Sequence, residues 1–389
     1  MEERYVEFSK KVAAIHPSPI RDMMVRAARI DDVISFAVGE PDFHSAPNVI
    51  EAAKRALDDG ETKYAPGAGM TRLREVYAAY LKEAIGVSYE TENCLVTTGG
   101  MGALFLGLTT LLNSGDEVIF SSPYWSNYGQ QIVLCGGKPV AIDVDEAHDF
   151  VIDPVAIEKA ITAKTKVILL NSPSNPTGSV IDAASLRAIA EIAVKHDLVV
   201  ISDEVYRHIL FDGRTYTSIA SFPGMKKRTL IIDSCSKTHA MTGFRVGFAT
   251  GPLNLIREMT KITEDVWSCV NTSAQFAAIE AFTRGADYRE MMVAEYEKRR
   301  NYIYQRINAI DCLSSIKPMG AFYLFANITK TGLAAKEFCD RLLDEAHVAV
   351  VPGDHFGTHA SGYVRISYAT SMQKIKEGMD RIEAFVNRL

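Results

Sequence analysis

The sequence predicts an α/β fold, a seven-stranded, mainly parallel sheet with helices on both faces, joined to a smaller α+β domain. Three observations predict it. Short runs rich in Val and Ile, bounded by Gly, Pro, Asn or Asp, recur at 94–98, 118–121, 139–143, 167–171, 198–202, 230–234 and 246–250. Amphipathic stretches such as 101–112, 127–134, 184–195 and 253–268 fall between or after them. Beyond about residue 288 the strand–helix alternation gives way to long helices and isolated short strands.

Each element follows from its pattern. Near-continuous apolar runs suit strands covered on both faces, and strand–helix alternation argues parallel neighbours. The runs at 230–234 and 246–250 lie too close together for a helical crossover, so one antiparallel member is expected there. Downstream, the pattern predicts a long charged helix at 288–307, a strand at 321–326 and a helix at 336–345. Strands at 348–351 and 363–368 and a terminal helix at 372–389 complete it. The charge run Glu297-Lys298-Arg299-Arg300 reads as a solvated helix face. At 389 residues the chain is too long for one ordinary domain. The expected division is a large domain at 46–285 and a small one made of 1–45 and 286–389.

Composition narrows the function classes. A net charge of −6 leaves no basic footprint for nucleic acid. Polar residues interrupt every apolar run before membrane-spanning length, so no membrane partner is expected. Six cysteines are scattered without a C-x-x-C pair or a histidine at ligand spacing, so neither a disulfide framework nor a metal site is expected. The opening MEERYVEFSKK lacks a signal-peptide core, and the expected location is cytoplasmic with reduced thiols.

Chemistry-bearing residues gather at the carboxyl ends of the predicted strands, where open α/β sheets bind ligands. After the first run, Gly99-Gly100-Met101 leads into a helix whose N-terminal N–H groups suit a phosphate. After the second comes Pro123-Tyr124-Trp125-Ser126-Asn127-Tyr128, whose flat rings suit a planar ligand or an interfacial cluster. Asn175-Pro176-Thr177-Gly178 makes a rigid turn after the fourth. Asp203 ends the fifth, where burial is costly unless a cation faces it. Ser234-Cys235-Ser236-Lys237 ends the sixth with an amine, and Arg245 precedes the seventh with a guanidinium suited to phosphate. Together these describe a pocket for pyridoxal 5′-phosphate, with Asp203 holding the pyridine nitrogen protonated.

The ordered set Gly39-Glu40-Pro41-Asp42, Lys63-Tyr64, Gly99-Gly100, Pro123-Tyr124-Trp125, Asn175-Pro176-Thr177-Gly178, Asp203-Glu204-Val205-Tyr206 and Ser234-Cys235-Ser236-Lys237 resembles the class I aminotransferases. Arg245, following that lysine, and Tyr363-Val364-Arg365-Ile366-Ser367 extend the resemblance over nearly the whole chain. These are fold-type I pyridoxal-phosphate enzymes of the aspartate and aromatic aminotransferase superfamily.

The resemblance implies roles. Lys237 is the Schiff-base lysine and the base that moves the proton between substrate Cα and cofactor C4′. Asp203 pairs with the pyridine nitrogen, Tyr206 and Asn175 bind the phenolate oxygen, and Trp125 stacks on the ring. The turn of Gly99, Gly100 and Met101, with Ser234 and Arg245, binds the phosphate. Tyr64 reaches it from the partner subunit of a homodimer. Arg365 clamps the substrate α-carboxylate, assisted by Asn175 and the Gly39 backbone, and Trp125 also borders the substrate. In relatives that prefer aspartate a lysine commonly stands at the place of Met101 and a hydroxyl residue at that of Ile20. The apolar residues here imply an aromatic or other hydrophobic amino donor and a 2-oxo acid acceptor such as 2-oxoglutarate, used in ping-pong order. Arg21 keeps aspartate as the alternative. β-Elimination at carbon–sulfur bonds is a second one. A non-catalytic DNA-binding regulator is not expected of a chain that is not basic and shows no helix-turn-helix extension.

Overall fold

The computed structural model describes residues 8–15 and 19–389, the side chains of 19–22 apart. The strands are β1 (Ile34–Ser35), β2 (Cys94–Thr98), β3 (Glu117–Ser122), β4 (Lys138–Asp143), β5 (Thr165–Asn171), β6 (Val199–Asp203), β7 (Thr229–Ser234), β8 (Val246–Thr250), β9 (Tyr323–Asn327), β10 (Val348–Ala349), β11 (Val351–Pro352) and β12 (Tyr363–Ser367). Seven of them form one sheet in the order β2-β8-β7-β6-β5-β3-β4. All neighbours pair parallel except β8, which runs antiparallel to both β2 and β7. That is the expected mainly parallel sheet with its one reversed strand.

The sequence explains the layering. Strands β5 to β8 are buried almost throughout, as their apolar runs require when helices cover both faces. Strand β4 is the edge, and there alone in the sheet the pattern turns exposed, with Lys138 and Pro139 at its start. Proline cannot donate to a ladder, and lysine discourages further pairing. Helix Gly99–Leu111 lies on β7 and β8 and begins two residues before the expected start. Its glycines therefore form the first turn itself. Gly99 takes φ 68°, a left-handed backbone that favours glycine, and a Cβ on Gly247 of β8 would sit 2.3 Å from the carbonyl carbon of Gly99, so strand and helix backbone touch directly.

The second body holds a three-stranded antiparallel sheet, β11-β12-β9, and the two-stranded parallel pair β1–β10. The single strand expected at 348–351 is thus divided. Its first half pairs with β1 and its second with β12, the chain changing partner at Val350. Pro352 confines the second half to a sheet edge. Helices Ala286–Ala309, Ala335–Ala346 and Met372–Val386 cover these sheets close to their expected positions. The charge run 297–300, however, is not a solvated face: Arg299 and Arg300 are buried and ion-paired with Asp42 and Asp212. Met23, Ala27, Ile34, Phe36 and Ala37 share one core with residues 292–386. The short helix Lys10–Ala13 instead packs against helix Asn127–Leu134 beside the large sheet.

Candidate active site

Register places the functional side chains. Asn171 at the end of β5 pairs opposite Asp203 at the end of β6, and Asp203 opposite Ile232 of β7. Ser234 then closes β7 and caps the turn Cys235–Thr238, which carries Lys237. A buried ion cluster fixes these strand ends. Arg207 bridges Glu204 at 3.1 Å and also pairs with Asp233. The Asp233 carboxylate in turn accepts the Ser234 N–H at 2.7 Å.

A cavity of about 370 Å³ opens outside those ends. Lys237, Asp203, Tyr206, Asn175, Ser234, Arg245, Trp125, Gly100, Met101, Gly39 and Arg365 all line it. Residues expected from opposite ends of the chain therefore meet in one crevice. Gly99 lies just behind the wall, where a Cβ would come 2.4 Å from the Arg245 guanidinium. Tyr64 does not line the cavity and is 87% exposed. Ile20 belongs to helix Pro19–Ala27, but its side chain is outside the described residues.

The electrostatics divide the cavity into three groups. Asp203 is buried, and Oδ2 accepts from the Tyr128 hydroxyl at 2.6 Å while Oδ1 accepts from the Val205 N–H at 3.3 Å. Burial pushes its carboxyl up to about 6, against the pull of those hydrogen bonds. Lys237 Nζ donates to the Gly39 carbonyl at 2.6 Å. Burial pulls this amine down to about 8; the nearby Glu40 carboxylate opposes that most, while Arg365 and Arg245 add to it. The third group gathers donors suited to an anion at the N-terminus of helix Gly99–Leu111: the first-turn N–H groups, which a helix leaves without intrahelical partners, the hydroxyls of Ser234 and Ser236, and Arg245. Arg245 takes a left-handed backbone, φ 57°, and donates to the Thr242 carbonyl at 2.9 Å.

Arg365, on β12, is buried and held as a clamp. Nη1 donates to Asn175 Oδ1 at 3.1 Å and Nη2 to the Ala37 carbonyl at 2.6 Å. Its guanidinium stacks over Tyr323, 4.7 Å from the ring centre, and 5.0 Å from that of Phe356. Nε, also buried, has no hydrogen-bond partner among the described residues, leaving a donor for a carboxylate. Tyr206 and Tyr323 share a hydroxyl hydrogen bond of 2.9 Å.

Sequence reasoning assigned no role to Tyr128, Tyr323, Glu40 or Ser236. Tyr128 carried a usable signal: it stands one helical turn after Trp125, and the two rings meet edge to face at 5.3 Å. Glu40 stood in the Gly39-Glu40-Pro41-Asp42 motif without a role of its own, and Tyr323 carried no signal, because the partners of both lie more than 100 residues away in sequence.

On the parallel-sheet body, an amine, a buried carboxylate and a buried arginine converge on one helix N-terminus, an arrangement suited to an enzyme that handles amino or oxo acids. A profile of the family described as aminotransferase class I and II matches residues 31–382, and the chain belongs to that family. It is 42% identical over 378 residues to an aspartate aminotransferase of Pyrococcus abyssi, covering 96% of this chain and 97% of that one. It is 40% identical to aromatic-amino-acid aminotransferase 2 of Thermococcus litoralis, with coverage of 96% and 97%. The solved structure of Pyrococcus protein-A1 superposes with a TM-score of 0.95 at 41% identity, covering 97% of this chain and 98% of that one. The protein is an aminotransferase with the fold of its family, and its substrates are amino acids and oxo acids. Among the described residues no helix is long and apolar enough to cross a membrane.

Proposed function

We propose that the chain works with pyridoxal 5′-phosphate and moves the amino group of an aromatic or other hydrophobic L-amino acid to 2-oxoglutarate, the two substrates using one crevice in turn. The residues present fit the cofactor. The anion-binding set contains no carboxylate, and the absence of a Cβ at Gly99 leaves room for the Arg245 guanidinium. Asp203, costly to ionise alone, is matched by a protonated pyridine nitrogen. When bound, the cofactor supplies an electron sink for charge developing at substrate Cα.

The chain's own residues do the rest. Arg365 and Asn175 seize the α-carboxylate and fix which Cα bond faces Lys237. Lys237, an amine near 8, takes and returns the proton at Cα at neutral pH. Tyr206, whose burial keeps its hydroxyl protonated, donates hydrogen bonds rather than charge. Gly100 and Met101 N–H, Ser234 and Arg245 hold phosphate, and Trp125 covers the ring. We assign Tyr64 to the neighbouring site of a homodimer because it is a large exposed ring outside its own cavity. The same reading sets the domains at 46–285 and at 1–45 with 286–389, the helix Lys10–Ala13 of the small domain reaching across to the large one, and the enzyme in the cytoplasm.

One observation carries the donor preference. Among the described residues lining the cavity, Lys237, Arg245 and Arg365 are the cations, and each already has a task. None is left for a distal carboxylate, and Met101, 38% exposed at the wall, offers an apolar surface instead. A donor panel with 2-oxoglutarate tests this: phenylalanine or tyrosine is expected to exceed aspartate in kcat/KM by about tenfold or more. An aspartate preference overturns it.

A further inference from the structure

The segment Phe36–Asp42 crosses the cavity as a strap. Phe36 is stitched to both small sheets, its N–H donating to Ala349 O at 2.8 Å and its carbonyl accepting from Ser367 N at 2.9 Å. Ala37 O holds Arg365, Gly39 O holds Lys237, and Asp42 accepts from the nearly buried Arg299 at 2.7 Å. Toward the large sheet the strap also reaches with a side chain of its own, the Glu40 carboxylate, which accepts from the Thr242 hydroxyl. The Thr242 carbonyl in turn holds Arg245.

We propose that Glu40 is a positioning residue, fastening the strap to the phosphate-binding turn and supplying the negative charge that faces the Lys237 amine. Three observations carry this. Glu40 lines the same cavity as Lys237. Its tether fixes the loop that also presents Gly39 O to Nζ. The other charged residues lining that cavity are Asp203 at the end of β6, Arg245 before β8 and Arg365 on β12. Two of those three are cations, so Glu40 balances them; the hydroxyls of Tyr206 and Tyr323 and the Phe322 ring, 5.9 Å from Nζ, are neutral. Removing the carboxylate favours the neutral amine, and removing the tether lets the carboxylate turn to solvent.

The inference rests on Lys237 as the reacting amine. The full-length chain without added cofactor is labelled with trace acetic anhydride between pH 6 and 10, and acetylation of Lys237 is followed by peptide mass spectrometry. Glu40→Gln keeps an oxygen acceptor for Thr242 and loses the charge. Lys237 in this variant is expected to label about two- to fivefold faster at pH 7, with its midpoint moved to lower pH. Thr242→Val, which keeps the charge and loses the tether, is expected to move the midpoint the same way by less. A wild-type pH profile in Glu40→Gln, with unchanged thermal unfolding, overturns the proposal; an unmoved midpoint in Thr242→Val overturns the tether. Turnover by Lys237→Ala would instead overturn the assignment of the amine, a separate result.

Discussion

The crevice has two walls of different construction. The sheet wall, carrying Asp203, Ser234, Lys237 and Arg245, is built from consecutive strand ends locked by register and by the buried Arg207 cluster. The opposite wall, carrying Ala37, Gly39, Glu40, Tyr323 and Arg365, is held by hydrogen bonds between segments far apart in sequence. Arg365 to Ala37 spans 328 residues and Lys237 to Gly39 spans 198. The first wall places reactive groups on a rigid frame. In the proposed function the second delivers a carboxylate clamp and a backbone strap from a different body, and it selects and seats the substrate. If so, losses in the sheet wall act on chemistry, and losses in the strap wall act on substrate recognition, except at Glu40, which acts on the Lys237 amine.

The largest effect is expected at Lys237. Lys237→Ala should lose about ten-thousand-fold in kcat, together with the near-visible absorbance of the bound cofactor. On the other wall, Arg365→Lys should lower kcat/KM for every amino acid about a hundredfold, mainly through KM, since an ammonium cannot reproduce the planar fork. A fall confined to kcat would place Arg365 in the chemistry and break the division.

Asp203 sharpens the comparison through stability. Its carboxyl titrates near 6 in the folded chain, against about 3.9 when unfolded. A folded value above the unfolded one means the group's contribution is fully present below about pH 4 and lost as pH rises through about 6. Without cofactor, Asp203→Asn should therefore be more stable than wild type at pH 8 by about 2 kcal/mol in urea unfolding. With cofactor the order should reverse. Equal stability at pH 8 without cofactor would show that Asp203 is not strained by its burial. The smallest effect is expected at Tyr128, where Phe removes the 2.6 Å hydrogen bond to Asp203 and should cost about three- to tenfold in kcat.

The same contrast explains what was legible in the sequence. Strand ends are marked locally, by an apolar run that stops at a polar residue, so Asp203, Asn175, Ser234 and Lys237 could be read in order along the sheet. The reversed strand β8 was legible from spacing alone. The divided strand at 348–351 was not, because only the partners, β1 and β12, reveal that the chain changes sheets at Val350. Arg365 was found through a family motif and not through periodicity, since a buried arginine in a strand carries no local mark of its purpose. Tyr323 and the Glu40 tether escaped for the same reason.

The central proposal is that both walls act on one substrate in alternating half-reactions. Its most direct test is the stoichiometry of a single half-reaction. The chain loaded with pyridoxal phosphate is mixed with L-phenylalanine without an acceptor, and 2-oxo acid and ammonia are measured. One equivalent of 2-oxo acid per site, no ammonia, and renewed turnover only on adding 2-oxoglutarate is the predicted result. Continued release of 2-oxo acid with ammonia in the absence of any acceptor would contradict it.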